Sequence, residues 1–246
     1  MSFWIAAGVA AFLLGLSKGG VPMIALLAVP ILSLMMDSAK AAGLLLPLYI
    51  IADCYAVYLF RRAFSVRNLQ ILLPSAVLGI LIGYFAVASV PGDAVKLLVA
   101  GIGLSYLFHA IRRRIFQQEI AARPADVPRG VVWGLLAGLT SYITHAGGPP
   151  FQAYVLPQRL EKMVYLGTTT IFFTIVNLMK VPPYILAGQI TWGSLSQALW
   201  LAPLALAGAW TGATISRVLP ERLFFTLVEI ALAVVSLRLI YEVLAP

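Results

Sequence analysis

The stretch ITHAGGPPFQAY, Ile143–Tyr154, lies between two long apolar runs and interrupts both. A helix in lipid would carry Leu and Val here; instead the chain sets His145 beside Gly147-Gly148 and Pro149-Pro150. Gly-Gly lets the backbone leave helical geometry without a Cβ penalty. Proline lacks an N–H and suits the first turn of a helix. The stretch reads as a helix end, a short loop and a new helix start, with a titratable ring at the join. It has a counterpart upstream: KGGVP, Lys18–Pro22, matches AGGPP, Ala146–Pro150, and Gly19 falls on Gly147 at a shift of 128.

The surroundings of these breaks are those of a membrane protein. Of 246 residues, 61% are hydrophobic and 11% charged, with a mean hydropathy of +0.96. A soluble domain carries roughly a quarter charged residues, so the solvent here is lipid. The N-terminal MSFWIAAGVAAFLLGLSKGG lacks a basic leader and reads as a first membrane segment. The single cysteine, Cys54, excludes an internal disulfide and a cysteine metal cluster, and reads as a small packing residue. The net charge of +8 is concentrated in short loops, which assigns it to topology and lipid headgroups; nucleic acid is not an expected partner.

Working outward from the paired breaks, the chain repeats. LLPSAVLG, Leu72–Gly79, matches LAPLALAG, Leu201–Gly208; Pro74 falls on Pro203, Gly79 on Gly208, Gly83 on Gly212 and Pro91 on Pro220, all at a shift of 129. The chain divides into a first repeat, residues 1–120, a basic cytoplasmic linker, 121–129, and a second repeat, 130–246. Each repeat holds five apolar pieces, predicted near 3–17, 22–36, 41–60, 69–90 and 95–111, then 130–143, 150–157, 163–180, 194–216 and 223–243. The first two of each set are short and read as a broken helical hairpin. Gly79-x-x-x-Gly83, Gly134-x-x-x-Gly138 and Gly208-x-x-x-Gly212 are close-packing signatures. They serve a homodimer or packing within one chain, and their spread over three segments favours the second.

Basic residues orient the segments. Arg61, Arg62 and Arg67, the linker's Arg112, Arg113, Arg114, Arg123 and Arg129, the pair Arg159 and Lys162, and Arg217 and Arg222 mark cytoplasmic turns. The turn around Pro91 and the uncharged VPPYILAGQITWG lie outside. Equivalent turns fall on opposite sides, so the repeats are inverted. Trp4, Tyr106, Trp133, Trp192 and Tyr241 sit near segment ends and suit an aromatic belt. The expected fold is an all-α polytopic membrane protein of 8–10 apolar segments, built as two inverted repeats, each a Gly/Pro-broken hairpin followed by three transmembrane helices. That organisation points to a secondary transporter with its site near the midplane at the breaks.

The candidate site follows. Free N–H groups at a helix start bind anions, and two such starts related by a pseudo-twofold axis would face one cavity, with Gly19, Gly20, Gly147 and Gly148 as backbone donors. Lys18 and His145 flank the breaks and would add positive potential. Asp53 and Asn177 lie inside the third piece of each repeat, 124 residues apart. They shape or gate the site, or simply bond between helices; Asp53 pairs with Lys18 or His145, or carries a proton. Lys180, three residues after Asn177, either snorkels outward or rims the cavity. No nucleotide-binding motif is present, and no cofactor or metal is expected.

Three motifs then carry a resemblance: GLSKGGVP at the first break, THAGGPP at the second, and NLMKVPPYILAGQITW, Asn177–Trp192. With them the chain resembles, over essentially its whole length, the TauE/SafE family of membrane exporters. The resemblance implies export of a small anion such as sulfite, sulfoacetate or a related sulfonate across the cytoplasmic membrane. The expected mechanism is alternating access driven by membrane potential or proton coupling. The alternatives are an importer or exchanger of an unrelated small metabolite, an intramembrane enzyme, and a non-transporting membrane partner. The expected partners are the anion and membrane lipid.

Overall fold

The computed structural model of the protein describes residues 3–21, 24–33, 35–87, 89–115 and 122–244. Pro22 of the first break and residue 121 of the linker lie outside the described residues. The described chain is helical: α1 (Phe3–Lys18), α2 (Ala28–Ser33), α3 (Ser38–Phe60), α4 (Val66–Ala86), α5 (Gly92–Ile115), α6 (Val127–Thr144), α7 (Gly148–Val155), α8 (Lys162–Leu186), α9 (Trp192–Val218) and α10 (Glu221–Leu244). Short 3₁₀ turns precede α2 and follow α7, at Ile24–Leu27 and Leu156–Gln158. Helices α3, α4, α5, α8, α9 and α10 each contain a stretch long and apolar enough to cross a membrane. The protein is an all-α polytopic membrane protein.

Local chemistry sets the helix starts. Asp37 accepts from the N–H groups of Ala39 and Lys40 at the head of α3, Ser65 from Asn68 at α4, and Asp126 from Arg129 at α6. Thr191 and Ser194 form a reciprocal capping box at α9. One expected boundary moves. The Pro182-Pro183 pair, expected in the uncharged outer loop, lies inside α8, which runs to Leu186. In a span, neighbouring helices can compensate the hydrogen bonds a proline removes.

The chain forms two compact units, and they interleave the sequence. Unit 1 comprises Met1–Phe64 and Leu166–Phe224; unit 2 comprises Ser65–Tyr165 and Phe225–Pro246. In unit 1 the core packs α1, α3 and α9 through small and branched residues, among them Ala7, Ala11, Leu14, Leu45, Ala205 and Ala209. A Cβ on Gly208 would strike the carbonyl of Phe12, and one on Gly15 the carbonyl of Ala205. Unit 2 contains the same contact between α4 and α6: a Cβ on Gly79 would strike the carbonyl of Leu135, and one on Gly138 the carbonyl of Ala76. All three glycine pairs face a helix of their own unit, Gly83 against Tyr142, Gly134 against Leu72 and Gly212 against Leu16. Close packing within the chain accounts for them. The outward faces are apolar and include Trp192, Trp200, Trp210 and Phe85, which suits lipid contact. Cys54 joins that exposed face rather than the packed interior expected of it.

Candidate functional site

Unit 1 draws four of the singled-out polar side chains together: Lys18, Asp53, Asn177 and Lys180. Lys18 ends α1, where a cation complements the helix dipole. Its Nζ stands 2.7 Å from Asp53 Oδ1. The Asn177 amide donates to Asp53 Oδ2, also at 2.7 Å. Lys180, one turn beyond Asn177 on α8, lies within electrostatic reach of both Asp53 and Lys18. Asp53 is 0% exposed, Lys180 1% and Asn177 4%. Lys180 therefore does not snorkel outward. The Lys18 side chain, 12% exposed, is the most accessible of the four.

Two aromatic residues complete the cluster, and sequence reasoning overlooked both. The Tyr49 ring centroid lies 5.1 Å from Lys18 Nζ and that of Phe173 lies 5.7 Å from it, within cation–π range. Tyr49 precedes Asp53 by four residues on α3, and Phe173 precedes Asn177 by four on α8. Each helix thus presents an aromatic and a polar residue one turn apart on one face. Tyr49 and Phe173 are 124 residues apart, the same spacing as Asp53 and Asn177. That recurrence was the available signal. Tyr49 OH also donates to the carbonyl of Ala25, which ties α3 to the turn after the first break.

The glycines do something other than donate to an anion. Gly20 N–H bonds the Ser17 carbonyl and Val21 N–H bonds the Leu16 carbonyl, closing α1 in a Schellman motif with Gly20 at φ +114°. Gly19 N–H is held by the Gly15 carbonyl, and Ser216 Oγ donates to the Gly19 carbonyl. The expected donor role of Gly19 and Gly20 is corrected on this geometry: their N–H groups terminate α1 and thereby fix Lys18. The described chain after this break enters a 3₁₀ turn, then a six-residue helix.

The second break lies in unit 2 and is built differently. His145 closes α6 in the left-handed conformation at φ 55°, its N–H reaching the Thr140 carbonyl. Thr140 Oγ1 donates in turn to the Ala146 carbonyl. Gly147 precedes α7 without a side-chain cap, and Gly148 begins it. Pro149 and Pro150 then remove two of the N–H groups a helix start would offer. The α7 start is consequently a poorer anion site than its position suggested. The chain rejoins α4 through a reciprocal amide pair, Asn68 Nδ2 to Gln158 Oε1 at 2.9 Å and Gln158 Nε2 to Asn68 Oδ1 at 3.0 Å.

Long apolar helices surrounding a buried ion-pair cluster define a multi-pass membrane protein with a polar site inside its fold. The sequence model described as "TauE: Sulfite exporter TauE/SafE" matches residues 4–239, and the chain belongs to that family. Membership makes it a membrane transporter, of a family associated with sulfite-like anions. No curated protein and no solved structure matches the chain.

Proposed function

We propose that the chain exports a small sulfur oxyanion or sulfonate, sulfite or sulfoacetate being the leading candidates, and binds it at the Lys18–Asp53–Asn177–Lys180 cluster. The observation that carries this reading is the buried cluster itself: Lys18, Asn177 and Lys180 gather cationic and amide donors in the interior of unit 1, and every other charged side chain described in that unit is exposed. Ionisable groups inside a membrane protein mark ion and substrate pathways. Donors of this kind suit an oxyanion. Lys18 provides the approach, Asn177 an amide donor, and the rings of Tyr49 and Phe173 hold the ammonium in place. Gly19 and Gly20 set Lys18 at the end of α1, while His145 with Gly147-Gly148 shapes the α6–α7 hairpin of unit 2.

Loop charge supports a cytoplasmic-membrane topology. If α3, α4, α5, α8, α9 and α10 span and the two short hairpins return to the side they entered from, 12 of the 17 Lys and Arg residues fall on one face. Lys40 and Lys96, near the starts of α3 and α5, lie on the other. Helix α1, 16 residues long, reaches about 24 Å at 1.5 Å per residue, short of a hydrocarbon core of about 30 Å. This alternation orients α3, α4 and α5 opposite to α8, α9 and α10, as inverted repeats require. With the interior negative, moving one negative charge outward releases about 2.3 kcal/mol per 100 mV. That energy is enough to drive export by alternating access without a proton partner.

Purified protein in liposomes tests the reading. Under an inside-negative potential, sulfite or sulfoacetate efflux should depend on the protein, and Lys18→Met and Lys180→Met should each lower it at least about tenfold. Unchanged flux in Lys18→Met would remove the cluster as the site.

A further inference from the structure

We infer that Gln152, on α7, is a second recognition point for the transported anion, its side-chain amide acting together with the backbone N–H groups of Gly147 and Gly148. The inference rests on the proposed export of a small oxyanion and adds to it a site in unit 2. The hairpin of that unit carries two buried glutamines, and the fold treats them in opposite ways. Gln158 is fully engaged: its Nε2 donates to Asn68 Oδ1 and to the Tyr154 carbonyl, and its Oε1 accepts from Asn68 Nδ2. Gln152 is 2% exposed, and its Oε1 has no hydrogen-bond partner. Nearby polar groups are satisfied elsewhere. Tyr154 OH donates to the Asp126 carbonyl, and Thr140 Oγ1 to the carbonyls of Leu136 and Ala146. A buried amide without a partner destabilises the fold that carries it. A bound ligand would supply that partner.

The groups left open at the head of α7 lie on the same face. Gln152 follows Gly148, the first residue of the helix, by four positions. Helical side chains lean toward the N-terminus, and Gly148 has no side chain to stand between Gln152 and the helix start. Pro149 and Pro150 have no N–H, and that of Phe151 is held by the Gly147 carbonyl. Among the described residues, nothing accepts from the N–H of Gly147 or of Gly148. Two backbone donors therefore remain, at the positive end of the helix dipole. The Gln152 amide, turned about its last bond, presents Nε2 where Oε1 now lies and supplies a third. Three neutral donors converging on one face suit a compact group with several anionic oxygens, such as sulfite or the sulfonate head of an organic anion.

The test uses the full chain. Efflux from liposomes gives the sulfite concentration for half-maximal flux, and thermal unfolding in detergent gives the stability of the same preparations. Gln152→Met keeps the length and volume of the side chain and removes the amide. It should raise the half-maximal concentration about tenfold. The melting temperature should stay level or rise by about 2–4 °C, because the fold loses no hydrogen bond. Gln158→Met removes an amide that the fold does use, and should lower the melting temperature while leaving the half-maximal concentration within about twofold. Gln152→Leu repeats the first measurement if the methionine variant fails to fold; failure of both to fold would make the amide a structural group and overturn the inference. A half-maximal concentration within about twofold of the unaltered protein, while Lys18→Met still lowers flux, would overturn the role of Gln152 and leave the charged cluster standing. An unaltered protein that carries no sulfite would instead overturn the export reading itself.

Discussion

The ion pair between Lys18 and Asp53 should hold α1 against α3, and a double-mutant cycle measures by how much. At 2.7 Å the gross attraction is about 6 kcal/mol for an effective permittivity of about 20. Most of that is offset by desolvation, since Asp53 is 0% exposed. Lys18→Met leaves the carboxylate with the Asn177 amide and Lys180, a partial replacement. The expected loss lies at the lower end of the about 3–5 kcal/mol seen on breaking buried pairs. Asp53→Asn removes the carboxylate from both Lys18 and the buried Lys180 and should cost more. The double variant, which removes both members of the Lys18–Asp53 pair, should be less destabilised than the sum of the two single losses, giving a coupling of about 1–3 kcal/mol. Lys180→Met should stay close to the unaltered protein in stability, because it loses attraction to Asp53 but relieves repulsion from Lys18, while transport falls. The assay is denaturant unfolding in detergent micelles, followed by circular dichroism. If the two single losses add to within about 0.5 kcal/mol, Lys18 and Asp53 are not coupled and the site has been assembled wrongly.

Other features give independent checks. Gly208→Ala and Gly79→Ala drive a methyl into the carbonyls of Phe12 and Leu135 and should each destabilise by about 1–3 kcal/mol, whereas Gly101→Ala, with open space around it, should stabilise by about 0.5–1 kcal/mol; thermal unfolding in detergent distinguishes them. His145→Gly relieves a left-handed backbone and should stabilise by about 1 kcal/mol, and an accompanying fall in flux would identify the ring itself as functional. Cys54→Ala, at an exposed position, should shift stability by no more than about 0.5 kcal/mol and provides a cysteine-free background. On that background, cysteines placed at Ser65 and at Gly92 should label from opposite sides of the membrane with an impermeant thiol reagent; labelling from one side would refute the topology.

Much of the fold was legible because lipid imposes a strong rule on sequence. Apolar length located nearly every segment to within a few residues, and proline and glycine marked both breaks. The exception at Pro182-Pro183 has a physical cause, since a span tolerates prolines that would end a soluble helix. The candidate site was legible residue by residue but not as an arrangement. Lys18, Asp53, Asn177 and Lys180 stood out as polar groups in apolar runs, yet nothing local shows that three helices bring them together. Tyr49 and Phe173 are hard to single out for the opposite reason: an aromatic residue in an apolar run carries no contrast, and only its recurrence at the 124-residue spacing marks it.

The repeat spacings explain why the breaks themselves misled. The α4 and α9 glycines correspond at a shift of 129, and their packing partners on α1 and α6 at 123: Gly15 meets Ala205 as Gly138 meets Ala76, and Phe12 meets Gly208 as Leu135 meets Gly79. Tyr49 and Asp53 fall on Phe173 and Asn177 at 124. The Gly-Gly breaks correspond at 128, five residues away from the register of the helices that carry them. Helix α6 runs six residues past Gly138, to Thr144, against three past Gly15 for α1, to Lys18, about 4.5 Å farther, and the return limb is shorter, 26 residues from Gly147 to Phe173 against 30 from Gly19 to Tyr49. Similar letters therefore do different work: Gly19-Gly20 closes one helix, while Gly147-Gly148 opens another. The positions that keep the packing register are the aromatic–polar pairs on α3 and α8. Lys18 meets Tyr49 and Asp53 of one pair and Phe173 of the other, and the proposed assignment of the site to the charged cluster rests on that contact.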